Sequence, residues 1–279
     1  MTEIQLKDLT LPRRQADAHK GQHGSLAIIG GADGMVGAAL LAARAGLLLG
    51  AGRAYAALLA KDAPSVDMLH PEIMMRSTDD LEALKQLDCA VIGPGLGLSP
   101  SSTAKELLEI WLSKNIPLVL DADALNLIAS HASLVNLIKA RTAATVMTPH
   151  AGEAARLLQS TPEYIQKNRE DSASQLAKEY QCTAVLKGAE TIICANHQLF
   201  LNTTGNVGLA SGGTGDVLAG MLGSLIAQGL NALEASKLAV FLHGAAADSL
   251  VAQGIGPIGL TASEVAIEAR YLINQFKQK

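Results

Sequence analysis

Aromatic side chains are scarce, at only 3% of the 279 residues, with one tryptophan, three phenylalanines and four tyrosines. Hydrophobic residues still make up 49% of the chain, so a large core must be built from Ala, Leu, Ile and Val. That is the usual filling of buried parallel sheets and the helices that cover them. Positive charge is not in excess either: the formal net charge of −4 removes the basic footprint of a nucleic-acid binder. The three cysteines, Cys89, Cys182 and Cys194, have no C-x-x-C spacing. This excludes a disulfide framework or zinc ribbon, and they read as reduced core thiols of a cytoplasmic protein. No secretion signal opens the chain, since "MTEIQLKDLTLPRRQ" is polar. Long uncharged apolar runs are absent as well. The run 35–52 carries Arg44 at its centre and 217–230 is too short to span a bilayer, so both read as packed helices rather than membrane segments.

What is present is an alternation of apolar strands and helices, punctuated by glycine. "SLAIIGG" (25–31) reads as a buried strand ending in glycine, followed by an Ala/Leu-rich helix over 36–49 and a strand over 53–60. "DCAVIGPGLG" (88–97) repeats strand and glycine-rich turn, and 102–114 reads as helix. "IPLVLDADAL" (116–125) reads as a strand with Asp121 and Asp123 at its end. "AATVMTPHAGEAARLLQ" (143–159) gives a strand, a Thr-Pro break and a helix. "TAVLKGAETIICA" (183–195) reads as two strands joined at Lys187-Gly188, "HQLFLN" as a hairpin arm, and helices fill most of 214–275. Such alternation predicts an α/β fold with a mostly parallel sheet covered on both faces. No linker, low-complexity tract or fixed repeat interrupts it, so one domain over 1–279 is expected. The turns at the strand ends should converge on one crevice, where ligands bind in open α/β sheets.

Several turns admit both a structural and a chemical reading. In "GGADGMVGAA" (30–39) the glycines fall at 30, 31, 34 and 37, which is not G-x-G-x-x-G, and no acidic residue ends the next strand. A hydride-transferring dinucleotide fold is therefore disfavoured, and the glycines suit close packing as well as ligand contact. "GPGLGLS" (93–99) is equally open. Asp121 and Asp123 suit metal or hydroxyl contacts, though Asp123 also suits a helix N-cap. In "TPHAGE" (148–153), a helix beginning at Pro149 would place His150 and Glu153 on one face toward the crevice; a surface histidine and a solvated glutamate are the bland alternative. "LKGAET" (186–191) puts a lysine where phosphate oxygens would sit, yet a hairpin turn also favours Lys-Gly.

"SGGTGD" (211–216) carries the most. Gly212, Gly213 and Gly215 with Thr214 can aim several N–H groups at one point, reinforced by the dipole of the helix that follows. Asp216 would repel an anion resting there. It makes sense as a base that accepts a proton from a hydroxyl attacking a phosphoryl group. Gly213, Gly215 and Asp216 are thus the candidate catalytic set.

Taken together, these turns resemble the ribokinase-like superfamily and, within it, closely the ADP/ATP-dependent NAD(P)H-hydrate dehydratases. The likeness runs from "HKGQHGSLAIIGG" to "LHGAAADSL". Its markers are "GGADGMVGAA", "GPGLG", "DADALN", "TPHAGE", "LKGAET", "NTTGN" and "ASGGTGDVLAG". The resemblance implies a three-layer α/β/α fold and a cofactor-repair reaction that removes water from C6-hydrated NADH or NADPH while consuming a nucleotide's terminal phosphate. It implies that Ala39, Gly97, His150 and Asp216 touch the hydrated dinucleotide, and that Lys187, Gly188, Ala189, Glu190 and Thr191, with Gly215, hold the adenine nucleotide. Glu153 matches the acidic end of the superfamily's N-x-x-E element, which organises Mg2+ through water, with His150 at the Asn position. A homotetramer, a separately encoded epimerase, a cytoplasmic location and use of ADP complete what the resemblance implies. A small-molecule kinase acting on a vitamin-precursor alcohol shares "GGTGD" and is the alternative; "GGADGMVGAA" with "GPGLG" favours the dinucleotide. A non-catalytic nucleotide sensor would have no use for Asp216.

Overall fold

A computed structural model describes residues 1–14, 17–98 and 103–276. The first half runs β1 (Thr2–Glu3), β2 (Ser25–Gly30), α1 (Val36–Leu48), β3 (Arg53–Leu58), β4 (Met74–Met75), α2 (Thr78–Glu82), β5 (Cys89–Ile92), α3 (Ala104–Ser113), β6 (Leu118–Leu120), α4 (Asp123–Ser130) and α5 (Ala132–Lys139). The second runs β7 (Thr145–Met147), α6 (Ala151–Leu157), α7 (Pro162–Lys167), α8 (Arg169–Glu179), β8 (Thr183–Leu186), β9 (Thr191–Ala195), β10 (Gln198–Asn202), α9 (Thr214–Ala227), α10 (Ala232–Ala252) and α11 (Ala262–Gln275). Among the described residues the strands form one ten-stranded sheet, in the order β1-β10-β9-β8-β7-β6-β5-β2-β3-β4. Every pairing from β8 across to β4 is parallel; β9 pairs antiparallel with both β8 and β10.

Strand residues alternate between two apolar layers. Leu26, Ile28, Val91, Val119, Val146 and Val185 pack under α1, α9, α10 and α11. Ala27, Ile29, Ile92, Leu120, Met147 and Leu186 pack under the helices from α2 to α8, around the fully buried Trp111. The result is the expected three-layer α/β/α arrangement, with a mostly parallel sheet. The small-residue helix α1 lies against α9 and the sheet: a Cβ at Gly220 of α9 would collide with the Ala42 carbonyl of α1, so only glycine allows this approach. The charge inside its apolar run is neutralised, because Arg44 Nε and Nη2 donate to the two carboxylate oxygens of buried Asp67 at 2.7 and 2.9 Å. Among the described residues no helix is long and apolar enough to cross a membrane.

One boundary differs in a way that matters. The strand read over 116–125 stops at Leu120, and α4 starts at Asp123. Ala122 takes a positive φ of 48°, which turns the chain out of the sheet and leaves Asp121 at the strand's tip. Residues 99 and 102, the ends of an expected turn and an expected helix, lie outside the described residues.

Candidate active site

Because β2, β5, β6, β7 and β8 are parallel, their carboxyl ends lie along one edge of the sheet, where backbone bonds stitch turn to turn. Gly31 N donates to Pro94 O at 2.9 Å, Asp121 N to Ile92 O at 3.1 Å, Thr148 N to Leu120 O at 3.1 Å, and Lys187 N to Pro149 O at 2.8 Å. The glycine-rich turns, the Asp121 tip, the Thr-Pro turn and the Lys187 turn thus form one continuous rim. Across it stands the N-terminus of α9.

That terminus is open. Its N-cap, Gly213, sits in the left-handed region at φ 89°, which favours glycine. The amides of Gly212, Gly213, Gly215 and Asp216 have no intramolecular partner among the described residues. Thr214 is instead held inward, its hydroxyl donating to Leu209 O at 2.8 Å and Ser211 O at 2.9 Å. Free amides at a helix N-terminus are an anion site. A cation completes it: a Cβ at Gly215 would lie 3.4 Å from Lys187 Nζ and 4.0 Å from Asp121 Oδ2.

Lys187 is the centre of a buried charge cluster. Its Nζ is 2.7 Å from Asp121 Oδ1 and 3.9 Å from Glu153 Oε2. Asp121 Oδ1 also accepts from Thr148 Oγ1 at 2.7 Å, which leaves Oδ2 facing the crevice. Burial works against the ammonium, but Asp121 and Glu153 outweigh it and hold the Lys187 pKa above its ordinary value. The Asp216 carboxylate has no hydrogen-bond partner among the described residues. Burial, then the negative field of Asp121, raise its pKa to about 7 against the opposing pull of Lys187, with Asp123 and Glu153 adding to the rise. A carboxyl poised near neutrality beside an anion cradle is suited to general base work.

The remaining expected residues fall as follows. His150 and Glu153 do come together at the sheet edge, but they close on each other rather than both facing outward. The helix begins at Ala151, not Pro149, so His150 is its N-cap: Nδ1 accepts from Gly152 N at 2.9 Å and Glu153 N at 3.3 Å, while Glu153 Oε2 accepts from His150 N at 2.8 Å. The His150 ring edge remains open, with 55% of its side chain exposed. Burial of the ring, with Lys187 and Arg156 against Glu153, lowers its pKa. Gly97 N donates to Asp123 Oδ2 at 2.9 Å, so Asp123 pins the "GPGLG" turn rather than capping α4. Ala39 is fully buried in α1 against Gly31. Gly188, Ala189 and Glu190 are exposed on the β8–β9 turn, and Thr191 Oγ1 closes it on Gly188 O at 3.1 Å.

Residues 26–267 match the family model for NAD(P)H-hydrate dehydratase. The chain belongs to the NAD(P)H-hydrate dehydratase family. It is 38% identical over 264 residues to the ADP-dependent (S)-NAD(P)H-hydrate dehydratase of Neisseria meningitidis serogroup B, covering 94% of this chain and 89% of that one. It is 40% identical over 269 residues to the bifunctional NAD(P)H-hydrate repair enzyme of Coxiella burnetii, covering 95% of this chain but 53% of that protein; the chain thus spans about half that relative's length. Among solved structures, the ADP/ATP-dependent NAD(P)H-hydrate dehydratase from Bacillus subtilis, co-crystallised with ATP/Mg2+, superposes with a TM-score of 0.88 at 29% identity over 99% of both chains.

Three features of this candidate site carry no motif signal. The Asp121–Lys187 pair joins residues 66 apart in sequence, so spacing could not reveal it. Arg169 of α8 braces the Lys187 turn, its Nη2 donating to Leu186 O at 3.0 Å and Glu190 O at 3.3 Å. His243 of α10, inside "LHGAAADSL", is bonded to the α9 N-terminus. Among the described residues no group of three or more His, Cys, Asp or Glu side chains forms a metal cage. Mg2+ does not need one, because it keeps several waters and is bound through one or two carboxylates and substrate phosphates. Asp121 Oδ2 and Glu153, flanking Lys187, fit that role. A cavity of about 540 Å3, lined by Thr145, Lys178, Cys182, Cys194 and His197 among others, opens at the opposite end of these strands and contains no carboxylate.

Proposed function

We propose that this chain catalyses nucleotide-dependent dehydration of C6-hydrated NADH and NADPH, with ADP as the phosphoryl donor and AMP, phosphate and NAD(P)H as products. The observation that carries the reading is the near-neutral Asp216 carboxyl set beside unpaired amides and the Lys187 ammonium. Hydroxide is a poor leaving group, and phosphate is a good one. Asp216 takes the proton of the C6 hydroxyl, whose oxygen then attacks the terminal phosphoryl group held over Gly213 and Gly215. Charge that spreads onto the phosphoryl oxygens is met by the amides and by Lys187. The ring-nitrogen lone pair expels phosphate by breaking the C6–O bond, and loss of a C5 proton from the resulting iminium restores the 5,6 double bond.

In this proposal Lys187, Gly188, Ala189, Glu190 and Thr191, with Gly215, hold the adenine nucleotide along the β8–β9 turn. Asp216, Gly97 and the open edge of His150 meet the hydrated dinucleotide. Ala39 contributes through the packing of α1 beneath the first glycine-rich turn, because its own side chain is buried. Mg2+ would be held by Glu153 through water, with Asp121 beside it, and would neutralise phosphate charge. The buried, unpaired cysteines suit a reducing compartment, and we place the protein in the cytoplasm. A homotetramer and a separately supplied epimerase belong to the same proposal, the former tested by sedimentation.

The test is a turnover assay with purified protein, ADP and hydrated NADPH, with ATP and hydrated NADH in parallel. Absorbance of the reduced ring should rise with ADP. No rise with either nucleotide would remove the reading, and phosphorylation of an added alcohol instead would move it to the kinase.

A further inference from the structure

The segment "LHGAAADSL" (242–250) has no part in the reaction above, yet its histidine is placed with care. His243 is 8% exposed, in a helix whose other buried residues are mostly Ala, Leu, Val and Gly. A buried imidazole needs a partner. His243 Nε2 lies 2.9 Å from Thr214 O, and since a carbonyl oxygen only accepts, Nε2 carries the proton and donates. Burial, aided by the Lys187 charge, holds the ring's pKa down to about 4 despite that bond, so the ring is neutral near pH 7.

Thr214 O belongs to the same planar peptide unit as Gly215 N–H, one of the unpaired amides of the cradle. A donor on the carbonyl side fixes the plane of that unit. It also polarises the unit, making the N–H on the other side a stronger donor. The side chain of Thr214 anchors the same residue from its other flank, through Leu209 O and Ser211 O. The Thr214–Gly215 peptide is thus clamped at both ends of its carbonyl-bearing residue, while its amide is left free to face a ligand beside Lys187 Nζ.

We propose that His243 is a positioning residue, which aims and strengthens the Gly215 N–H toward the nucleotide's terminal phosphoryl group by donating to Thr214 O. The proposal rests on the dehydratase reading for its phosphoryl chemistry. It does not rest on it for the geometry. His243 touches neither substrate and acts through one peptide bond.

The test compares two substitutions. His243→Gln keeps an N–H donor at the position of Nε2, whereas His243→Phe keeps bulk and loses the donor. Deleting a direct oxyanion donor outright lowers kcat by about 10²–10³-fold, so an indirect loss should lower it by roughly tenfold in the Phe variant. The Gln variant should recover most of that. The second readout needs no hydrated cofactor: the Gly215 amide proton should move downfield when ADP is added to the wild type, and move less in His243→Phe. Nitrogen-15 shifts of the wild-type ring should report the neutral Nε2-protonated tautomer between pH 6 and 8, a measurement that stands even if the Phe variant does not fold. Equal activities of the Gln and Phe variants, an Nδ1-protonated ring, or an undiminished Gly215 response in His243→Phe would each overturn the proposal. A wild type that shifts with ADP but never turns over would sink the dehydratase reading instead, leaving the clamp intact.

Discussion

Replacing Asp216 by Asn separates the chemistry of this site from its stability, because the two should change in opposite directions. The isosteric amide cannot accept the hydroxyl proton, so turnover should fall by at least about two orders of magnitude, the scale of losing a general base. Binding of ADP should survive, since the amides and Lys187 remain. Stability should rise. Burial lifts the Asp216 pKa from 3.8 to about 7. At 1.36 kcal/mol per unit this caps the cost of carrying the charge in the folded state at about 4 kcal/mol. The carboxylate is partly open to solvent, and screening reduces the expected net to about 2 kcal/mol. For a chain of this size that corresponds to roughly 4 °C in melting temperature. The sign follows from proton counting. Between 3.8 and about 7 the folded protein holds a proton that the unfolded chain has released, so stability declines as pH rises and the whole cost is reached above about 7. The advantage of Asp216→Asn should therefore be largest near pH 8 and shrink to about a third at pH 5, where the folded carboxyl is protonated. Thermal melts at the two pH values, with turnover at pH 8, decide it. A variant within tenfold of wild-type activity, or one whose stability gain is the same at both pH values, refutes the reasoning.

Further outcomes follow from the same contacts. Gly215→Ala places a methyl group 3.4 Å from Lys187 Nζ inside the cradle, and should raise the calorimetric Kd for ADP by about tenfold or more while melting stays near wild type; unchanged affinity would mean that phosphate sits elsewhere. Lys187→Met strands Asp121 and Glu153, costing about 3 kcal/mol, and adding Asp121→Asn should restore part of it in denaturant titrations. His150→Ala removes the α6 cap at a cost of about 1 kcal/mol, whereas His150→Asn should retain most of it. Because the folded His150 pKa lies below 6.5, the cap's contribution is complete above that pH and is lost as the solution is acidified, so the Ala variant should match wild type more closely at pH 5 than at pH 8.

The layered fold was legible because its signals are local. Apolar runs such as Ser25–Gly30 and Cys89–Ile92 are buried along their whole length, and glycine stands at the end of the first and directly after the second, where the chain turns over the sheet edge. The glycine-rich entrance to α9 was legible for the same reason, as was the hairpin at Lys187-Gly188. The short edge strands Thr2–Glu3 and Met74–Met75 carry too few residues for any period to show. Helix α8 escaped because its sequence, REDSASQLAKE, is largely polar and buries only Ser172, Ala173 and Leu176. At the site, what could not be read was pairing across distance. Asp121 and Asp123 both suit metal or hydroxyl contacts by sequence, and Asp123 an N-cap as well; the positive φ of Ala122 instead sends them apart, one to Lys187 and one to the Gly97 amide. His150 and Glu153 are neighbours, as their three-residue spacing implies, but capping geometry rather than helical phase decides where they point.

In the proposed reaction the substrate's own C6 oxygen attacks the phosphoryl group over the Gly213–Asp216 turn. Hydrated NADPH labelled with oxygen-18 at C6 tests it directly, by mass analysis of the phosphate released during turnover with ADP. The label should appear in that phosphate, one atom per turnover. Unlabelled phosphate, with the heavy oxygen released into water, would contradict it.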